Sequence, residues 1–348
     1  MKAWAVVSAG APLELLEFPT PVPQGSEVLV EVTHAGVCHS DLHFWKGEYN
    51  LGGGKVMKLS DRGVTLPRAP GHEISGRVVA MGPDATGVAV GDQRIVYPWL
   101  GCGECVHCKA EEDNMCQKQR ALGVVQNGGF GSHVLVPHPR YLVDAEGVDP
   151  AVGATYACSG ITTYSAIAKI MPISPEAPVV LIGAGGVGLM AIAMLKALGH
   201  KAIFSVDLSA EKRHAAAAAG AIAVDGAGDD VVERVLAATG GPVLAVLDFV
   251  AISQTAANGF AMLDKGGKLI IIGVSGGELT LSLAGLVFRA HAVLGSNTGS
   301  LKDLRAVVKL AQQGKLAPTP VTLCPKDRAN QAMLELKAGH VTGRTVLV

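Results

Sequence analysis

The chain is 348 residues long and 49% apolar, with 29 lysines and arginines against 30 aspartates and glutamates. That length allows two domains, and the balanced charge excludes the basic footprint of a binder of nucleic acid or acidic membranes. No apolar run approaches the roughly 20 residues that span a bilayer, and the opening MKAWAVVSAGAPLELLEF reads as strand and turn rather than export signal, so the expected location is the cytoplasm.

In chain order, the first stretch alternates short apolar runs, such as EVLVEVTHAGV and ISGRVVAMG, with Pro- and Gly-rich punctuation. It predicts a β-rich domain with long loops. Within it, Cys102, Cys105, Cys108 and Cys116 crowd into GCGECVHCKAEEDNMC, while the rest of the chain holds only three cysteines. In a reducing compartment, clustered thiols point to metal rather than disulfides. Four soft ligands at this spacing predict a closed, tetrahedral, structural zinc site with no position open to substrate.

From Pro178 the pattern changes. VVLIGAG, KAIFSVD, AIAVDG, VLAVLDFV, GKLIIIGV and AVLGSN are strand-like and are separated by Ala-rich helical runs. Such alternation predicts a parallel, doubly wound sheet, because parallel neighbours need crossovers. The strands are nearly continuous apolar runs, as expected where both faces are covered. Beyond Asn297, SLKDLRAVVKLAQQG and KDRANQAMLELKAG predict amphipathic helices and GRTVLV a last strand.

Gly183, Gly185 and Gly188 form G-x-G-x-x-G directly after the strand VVLI, with Gly186 and Val187 opening the next helix. The first glycine permits the tight turn, the second a close approach of backbone to a pyrophosphate, and the third helix–strand packing. The helix N-terminus then offers N–H groups to the phosphates. Asp207 ends the following strand, where a carboxylate accepts hydrogen bonds from the ribose hydroxyls and repels a 2′-phosphate, favouring NAD over NADP. Lys212 stands close enough in sequence to add a contact to the adenosine ribose.

A second set is scattered: Cys38 in GVCHSDLH, His72 in PGHE and Cys158 in ACSGITT. Together they would make the Cys₂His arrangement that leaves a fourth zinc position open, but spacing alone does not assemble them. With the four-cysteine segment, GAGGVG and the terminal GR, these motifs resemble the zinc-dependent alcohol dehydrogenases of the medium-chain dehydrogenase/reductase family over essentially the whole chain.

The resemblance implies an α/β protein: a doubly wound parallel (Rossmann) NAD-binding domain at 156–296 and a β-rich, GroES-like catalytic domain at 1–155 and 297–348, with the active site in the cleft between them. It implies two zinc ions per chain. Cys38, His72 and Cys158 would hold the catalytic one, with Glu73 an alternative ligand or a neighbour of the ligands. The metal would acidify a substrate hydroxyl while hydride passes to NAD, interconverting primary or secondary alcohols with aldehydes or ketones. Ser40 and His43 would carry the proton out, and Asp41 would orient His72. His39 and Arg344 would meet the pyrophosphate, and Thr162 the nicotinamide. Trp45 and Trp99 are candidates for an apolar pocket wall or for core, and Cys324 is passive. A polyol dehydrogenase is the nearest alternative, though such enzymes often carry glutamate where this chain has Cys158. The expected partners are a small-molecule substrate and further copies of the chain, a tetramer before a dimer, with no nucleic acid or membrane. One departure from compact relatives is the extra segment NLGGGKVMKLSDRGVTLP, residues 50–67, which would either border the substrate cleft or form a surface insertion.

Overall fold

Val28, Val30 and Val32 turn into one core from the strand Val28–Gly36. That strand organises the first of two bodies in the structure, a computed structural model describing residues 1–348. This body comprises Met1–Glu48, Lys58–Ile161 and Gly299–Val348. Its main sheet has seven strands. Val28–Gly36 pairs antiparallel with Glu73–Met81 and His133–Val136, and at its far end with the C-terminal strand Arg344–Leu347. Gln93–Val96 and Leu142–Asp144 continue the sheet beyond Glu73–Met81, and Val321–Cys324 flanks Arg344–Leu347. Ile74, Val78, Ile95, Val96, Val134 and Val346 fill the core. The registers Gly36↔Glu73 and Gly36↔Val346 bring three segments distant in sequence to one end of the sheet.

The second body, Tyr49–Met57 and Thr162–Thr298, carries a six-stranded sheet in the order Ile222–Asp225, Ile203–Asp207, Val179–Ile182, Val243–Asp248, Leu263–Ile271, Ala292–Gly295. Every pairing is parallel. Chain order reverses at Val179–Ile182, which makes the loop after that strand the topological switch point where such sheets bind ligands. Val180, Val206, Val246 and Leu269 form its core. The α/β class and the doubly wound sheet expected from the sequence are both present. No helix is long and apolar enough to cross a membrane.

Two boundaries differ from those expected. The first body runs to Ile161 and resumes at Gly299, rather than breaking at 155/156 and 296/297. Residues 156–160 are all buried within it, and a Cβ on Gly160 would lie 3.1 Å from Val307 Cγ1 in the helix Leu301–Gln312. The 50–67 segment begins as a hairpin, Glu48–Gly52 with Lys55–Lys58, and residues 49–57 group with the second body. Its glycines allow close approach there: a Cβ on Gly52 would stand 2.9 Å from Gly277 O and the Glu278 Cγ.

Two glycines of the nucleotide motif differ in what they tolerate. A Cβ on Gly188 would lie 2.0 Å from Gly183 O, whereas one on Gly185 would meet nothing within 4 Å. Gly188→Ala is therefore expected to cost about 1–3 kcal/mol by overpacking, a fall in Tm of roughly 2–10 °C, and Gly185→Ala to leave Tm unchanged. Thermal unfolding of both variants checks this; equal midpoints would contradict it.

Candidate active site

Gly36 ends its strand, and the chain turns through Cys38 into the helix His39–Lys46. Asp41, in the first turn, reaches back: its Oδ2 accepts the Cys38 backbone N–H at 2.9 Å. Its Oδ1 accepts Gly71 N–H at 3.0 Å and lies 3.3 Å from His72 Nδ1. One carboxylate, itself buried, thus sets the ends of two segments and the tautomer of an imidazole. With Nδ1 committed to Asp41, His72 Nε2 is buried and has no hydrogen-bond partner.

Cys158 arrives by another route. The helix Pro150–Thr155 is started by Asp149, whose Oδ1 accepts Ala151 N–H at 2.8 Å, with Pro150 at the first helical position. It then widens into a π-turn at Tyr156–Gly160 before resuming at Ile161–Ala168. Such widened turns re-aim a side chain and are frequent at functional sites. Here the turn aims Cys158 at Cys38, Sγ to Sγ 3.8 Å. Ligand atoms of Cys38, His72, Glu73 and Cys158 all lie within 4.8 Å of one another, and all four residues are buried. Four ligands at zinc–sulfur distances of 2.3 Å would have a tetrahedral edge of about 3.8 Å. The thiol spacing and the orphaned Nε2 therefore fit a zinc ion.

Electrostatics supports the same fit. The thiol of Cys158, donating to Cys38 and desolvated beside it, is pushed well up, while Cys38 is held well below the usual thiol range by that bond, Arg344 and His72. Burial opposes a charge on His72, but Asp41 and Cys38 outweigh it and raise its pKa. Burial pushes Glu73 up to about 7 against the pull of Arg344. Deprotonated, these donors would crowd negative charge into a dry site, and the upward shifts at Cys158 and Glu73 express the cost of that without a cation.

Glu73 opens the strand opposite Gly36, and only glycine fits there: a Cβ would stand 2.1 Å from Glu73 Oε2. Arg344, expected at a pyrophosphate, lies buried with Nη2 3.1 Å from Glu73 Oε1, an ion pair whose angles do not make a hydrogen bond. Trp99 packs its ring 5.4 Å from that of His72. Trp45 is no neighbour of this cluster in its contacts: its Nε1 donates to Ala11 O, and Lys337 Nζ sits 4.8 Å over its ring. His39 is exposed on the first turn of the helix, Ser40 and His43 are half-buried, and burial, Lys46 and His39 lower the His43 pKa.

The four-cysteine lobe folds around a short helical turn, Val106–Lys109. Sγ atoms of Cys105 and Cys108 are 3.5 Å apart, and those of Cys102 and Cys108 4.0 Å apart. Backbone N–H groups of Cys102 and Lys118 donate to Cys116 Sγ at 3.4 and 3.3 Å. The four sulfurs lie within 4.8 Å of one another, a set that fits a closed tetrahedral ion.

In the second body, Gly183 adopts φ +98° after the strand Val179–Ile182, and Gly185 caps the helix Gly186–Ala197, which includes Val187 and Gly188. Asp207 borders this turn: Oδ2 accepts Ala184 N–H at 2.8 Å and Oδ1 accepts Ser209 N–H at 2.8 Å. Lys212 follows in the helix Ala210–Ala218, half-buried. Thr162 is buried in the first turn of Ile161–Ala168. One neighbour was missed in the sequence. Arg213 Nη1 donates to Asp207 O and Leu208 O, at 3.0 and 2.7 Å, and pairs with Asp225 at 3.0 Å. Only strand pairing brings Asp225 beside Asp207, so no local spacing announces that contact.

Residues 24–146 match the alcohol dehydrogenase GroES-like domain, and residues 186–313 the zinc-binding dehydrogenase domain. The chain is 35% identical to an NAD-dependent alcohol dehydrogenase of Sulfurisphaera tokodaii, over 100% of both chains. It is 34% identical to a D-arabinose 1-dehydrogenase (NADP(+)) of Saccharolobus solfataricus, over 99% of this chain and 97% of that one. The crystal structure of an alcohol dehydrogenase from Aeropyrum pernix superposes with a TM-score of 0.91 at 30% identity, covering 100% of each. Likeness along the full length, on a scaffold that gathers this donor set at one sheet end, has one reading: the chain belongs to the zinc-dependent alcohol dehydrogenases of the medium-chain dehydrogenase/reductase family.

Proposed function

We propose that the protein is an NAD-dependent oxidoreductase that interconverts primary or secondary alcohols with aldehydes or ketones, with zinc held by Cys38, His72 and Cys158. The observation that carries this is the buried, unpartnered Nε2 of His72 beside two thiols 3.8 Å apart. Bound there, zinc supplies a Lewis acid that lowers the pKa of a hydroxyl and polarises a carbonyl. NAD supplies the hydride acceptor. The residues of the chain bind, orient and move protons. Asp41 fixes the His72 ring, as carboxylates behind metal-binding histidines do. Ser40 takes the substrate hydroxyl proton, and His43, kept neutral by burial and by its cationic neighbours, accepts it on the way to solvent. Glu73 remains in reserve as a ligand, anchored by Arg344 and given room by Gly36.

The second zinc belongs to Cys102, Cys105, Cys108 and Cys116, where it replaces a hydrophobic core. NAD is bound through Gly183, Gly185, Gly186, Val187 and Gly188, with Thr162 and Lys212 as further contacts, while Arg344, expected from the sequence at the pyrophosphate, is engaged by Glu73. Asp207 takes the ribose hydroxyls. Arg213, tied to Asp225, is spoken for and does not offer itself to a 2′-phosphate. The expected location is the cytoplasm, where clustered thiols stay reduced and available to metal.

Self-association is supported by the helix Leu283–Arg289, where Leu283, Val287 and Phe288 are 78%, 74% and 77% exposed. Clustered large apolar side chains mark an interface; a tetramer is the expected assembly. Sedimentation of the purified protein as a monomer at micromolar concentration would remove this reading.

The activity is tested by metal analysis with NADH absorbance. Two zinc ions per chain and turnover of a simple alcohol are expected, and a chelator-stripped chain is expected to be inactive until zinc is restored. Asp41→Asn, which keeps the shape but removes the charge behind His72, should weaken the catalytic metal about 10–100-fold, read by chelator competition. An active, zinc-free wild type sinks the proposal.

Cofactor choice is tested separately. Asp207→Ala should raise the KM for NAD about 10–100-fold, the loss of charge-assisted hydrogen bonds, while leaving NADP unchanged or improved. An equal loss with both dinucleotides would show that Asp207 only holds the glycine turn together.

A further inference from the structure

Between the third and fourth thiols of the lobe the chain passes through Glu111, Glu112 and Asp113. Each meets a cation from elsewhere in the same body. Glu111 Oε1 is 2.6 Å from Arg305 Nη1, Glu112 Oε1 is 3.9 Å from Lys302 Nζ, and Asp113 Oδ1 bonds Arg140 Nη2. The first two pairs are solvent-exposed, and such pairs contribute little. The third differs, because the Asp113 side chain is 0% exposed and that of Arg140 only 26%. Tyr141 Oη donates to the same Oδ1 at 2.8 Å, the Arg140 guanidinium lies 4.5 Å from the Tyr141 ring centre, and Tyr97 stacks on Tyr141. Asp113 Oδ2 is buried with no partner.

This carboxylate adjoins a metal-binding thiol. Cys108 Sγ and Asp113 Oδ1 crowd the same point, 2.3 and 2.5 Å from where a Cβ on Gly101 would stand. Four thiolates around zinc carry a net double negative charge. A buried carboxylate against that cluster is repulsive unless a cation offsets it.

We propose that Arg140 is a positioning residue for the four-cysteine metal site: paired with Asp113, it offsets the charge crowded beside Cys108, fixes the 108–116 loop and slows loss of the ion. The inference rests on reading the four thiols as a zinc site. It is sign-specific. Removing Arg140 alone leaves a buried carboxylate unopposed. Removing the charge of Asp113 alone leaves a cation near an anionic cluster, which is harmless. Removing both restores the balance.

The test uses the full-length, zinc-loaded protein and follows zinc transfer to excess chromogenic chelator. The thiolate-to-metal absorption of cobalt-substituted protein identifies the site. Arg140→Met should release the lobe metal at least about tenfold faster. Asp113→Asn should be no faster than wild type, and the double variant should return to within about threefold of it. Wild-type release from Arg140→Met, or a double variant as leaky as Arg140→Met, overturns the proposal, the latter because packing rather than charge would then be at work. Should Arg140→Met not fold, Arg140→Lys and Arg140→Gln give the same contrast, since only the lysine keeps the charge; equal release from these two overturns it. A wild-type chain with metal only at Cys38, His72 and Cys158 overturns this inference and leaves the proposed activity standing, whereas a chain with metal at neither set overturns both.

Discussion

The carboxylate of Asp41 is the interaction on which the site depends. It is buried, it sits in the first turn of a helix, and it accepts from Cys38 N–H and Gly71 N–H while lying 3.3 Å from His72 Nδ1. Hydrogen bonds to a charged group contribute about 1.5–3 kcal/mol each, so this anion is held by more than the cost of one lost bond. Its geometry carries the consequence. Because Nδ1 faces Asp41, Nε2 must face the thiols, and because Cys38 N–H is fixed, the Cys38 side chain starts from a fixed point. A single acid thus sets a loop end and a strand end so that two donor atoms face the same point.

The sheet provides what Asp41 cannot. Val28–Gly36, Glu73–Met81 and Arg344–Leu347 lie side by side, so their ends deliver Cys38, His72 with Glu73, and Arg344 to one place. Glu73 is fully buried, and breaking a buried pair by removing one partner typically costs about 3–5 kcal/mol; Arg344 supplies the partner, and the missing Cβ of Gly36 supplies the space. The upward shifts at Cys158 and Glu73 share a meaning: protons take the place a cation would hold among these donors. Metal uptake at such a set releases protons, so affinity there rises with pH until the donors are free.

What was legible in the sequence follows from how each feature is built. The glycine motif and the four-cysteine lobe are local, their geometry is set by spacing within one turn or loop, and their residues could be named without a fold. Cys38, His72 and Cys158 are not local. They meet through strand register and through the widened turn at Tyr156–Gly160, and neither can be read from periodicity, so only family resemblance grouped them. Gly36 reads as one more strand glycine until its register opposite Glu73 is known. Arg213 and Arg140 look like ordinary surface cations, yet Asp225 and Asp113 are brought to them by tertiary contact. The Gly-rich segment 50–67 stands out in the sequence, but that residues 49–57 group with the second body depends on close packing at Gly276–Glu278.

The two thiolate sets place the same atom under opposite demands. In the lobe, four sulfurs on a short loop lie within 4.8 Å of one another, so an ion bound there would have all its positions filled by the protein. At the sheet end, the ligands stand on elements already held by a hydrophobic core, so an incomplete coordination shell is tolerable and a position can stay open. A closed shell at the sheet end would exclude substrate. Where the surrounding residues place rigidity would therefore decide which of the two donor sets could leave a position open. Cys38, His72 and Cys158 are few enough to leave room and firmly enough held to use it.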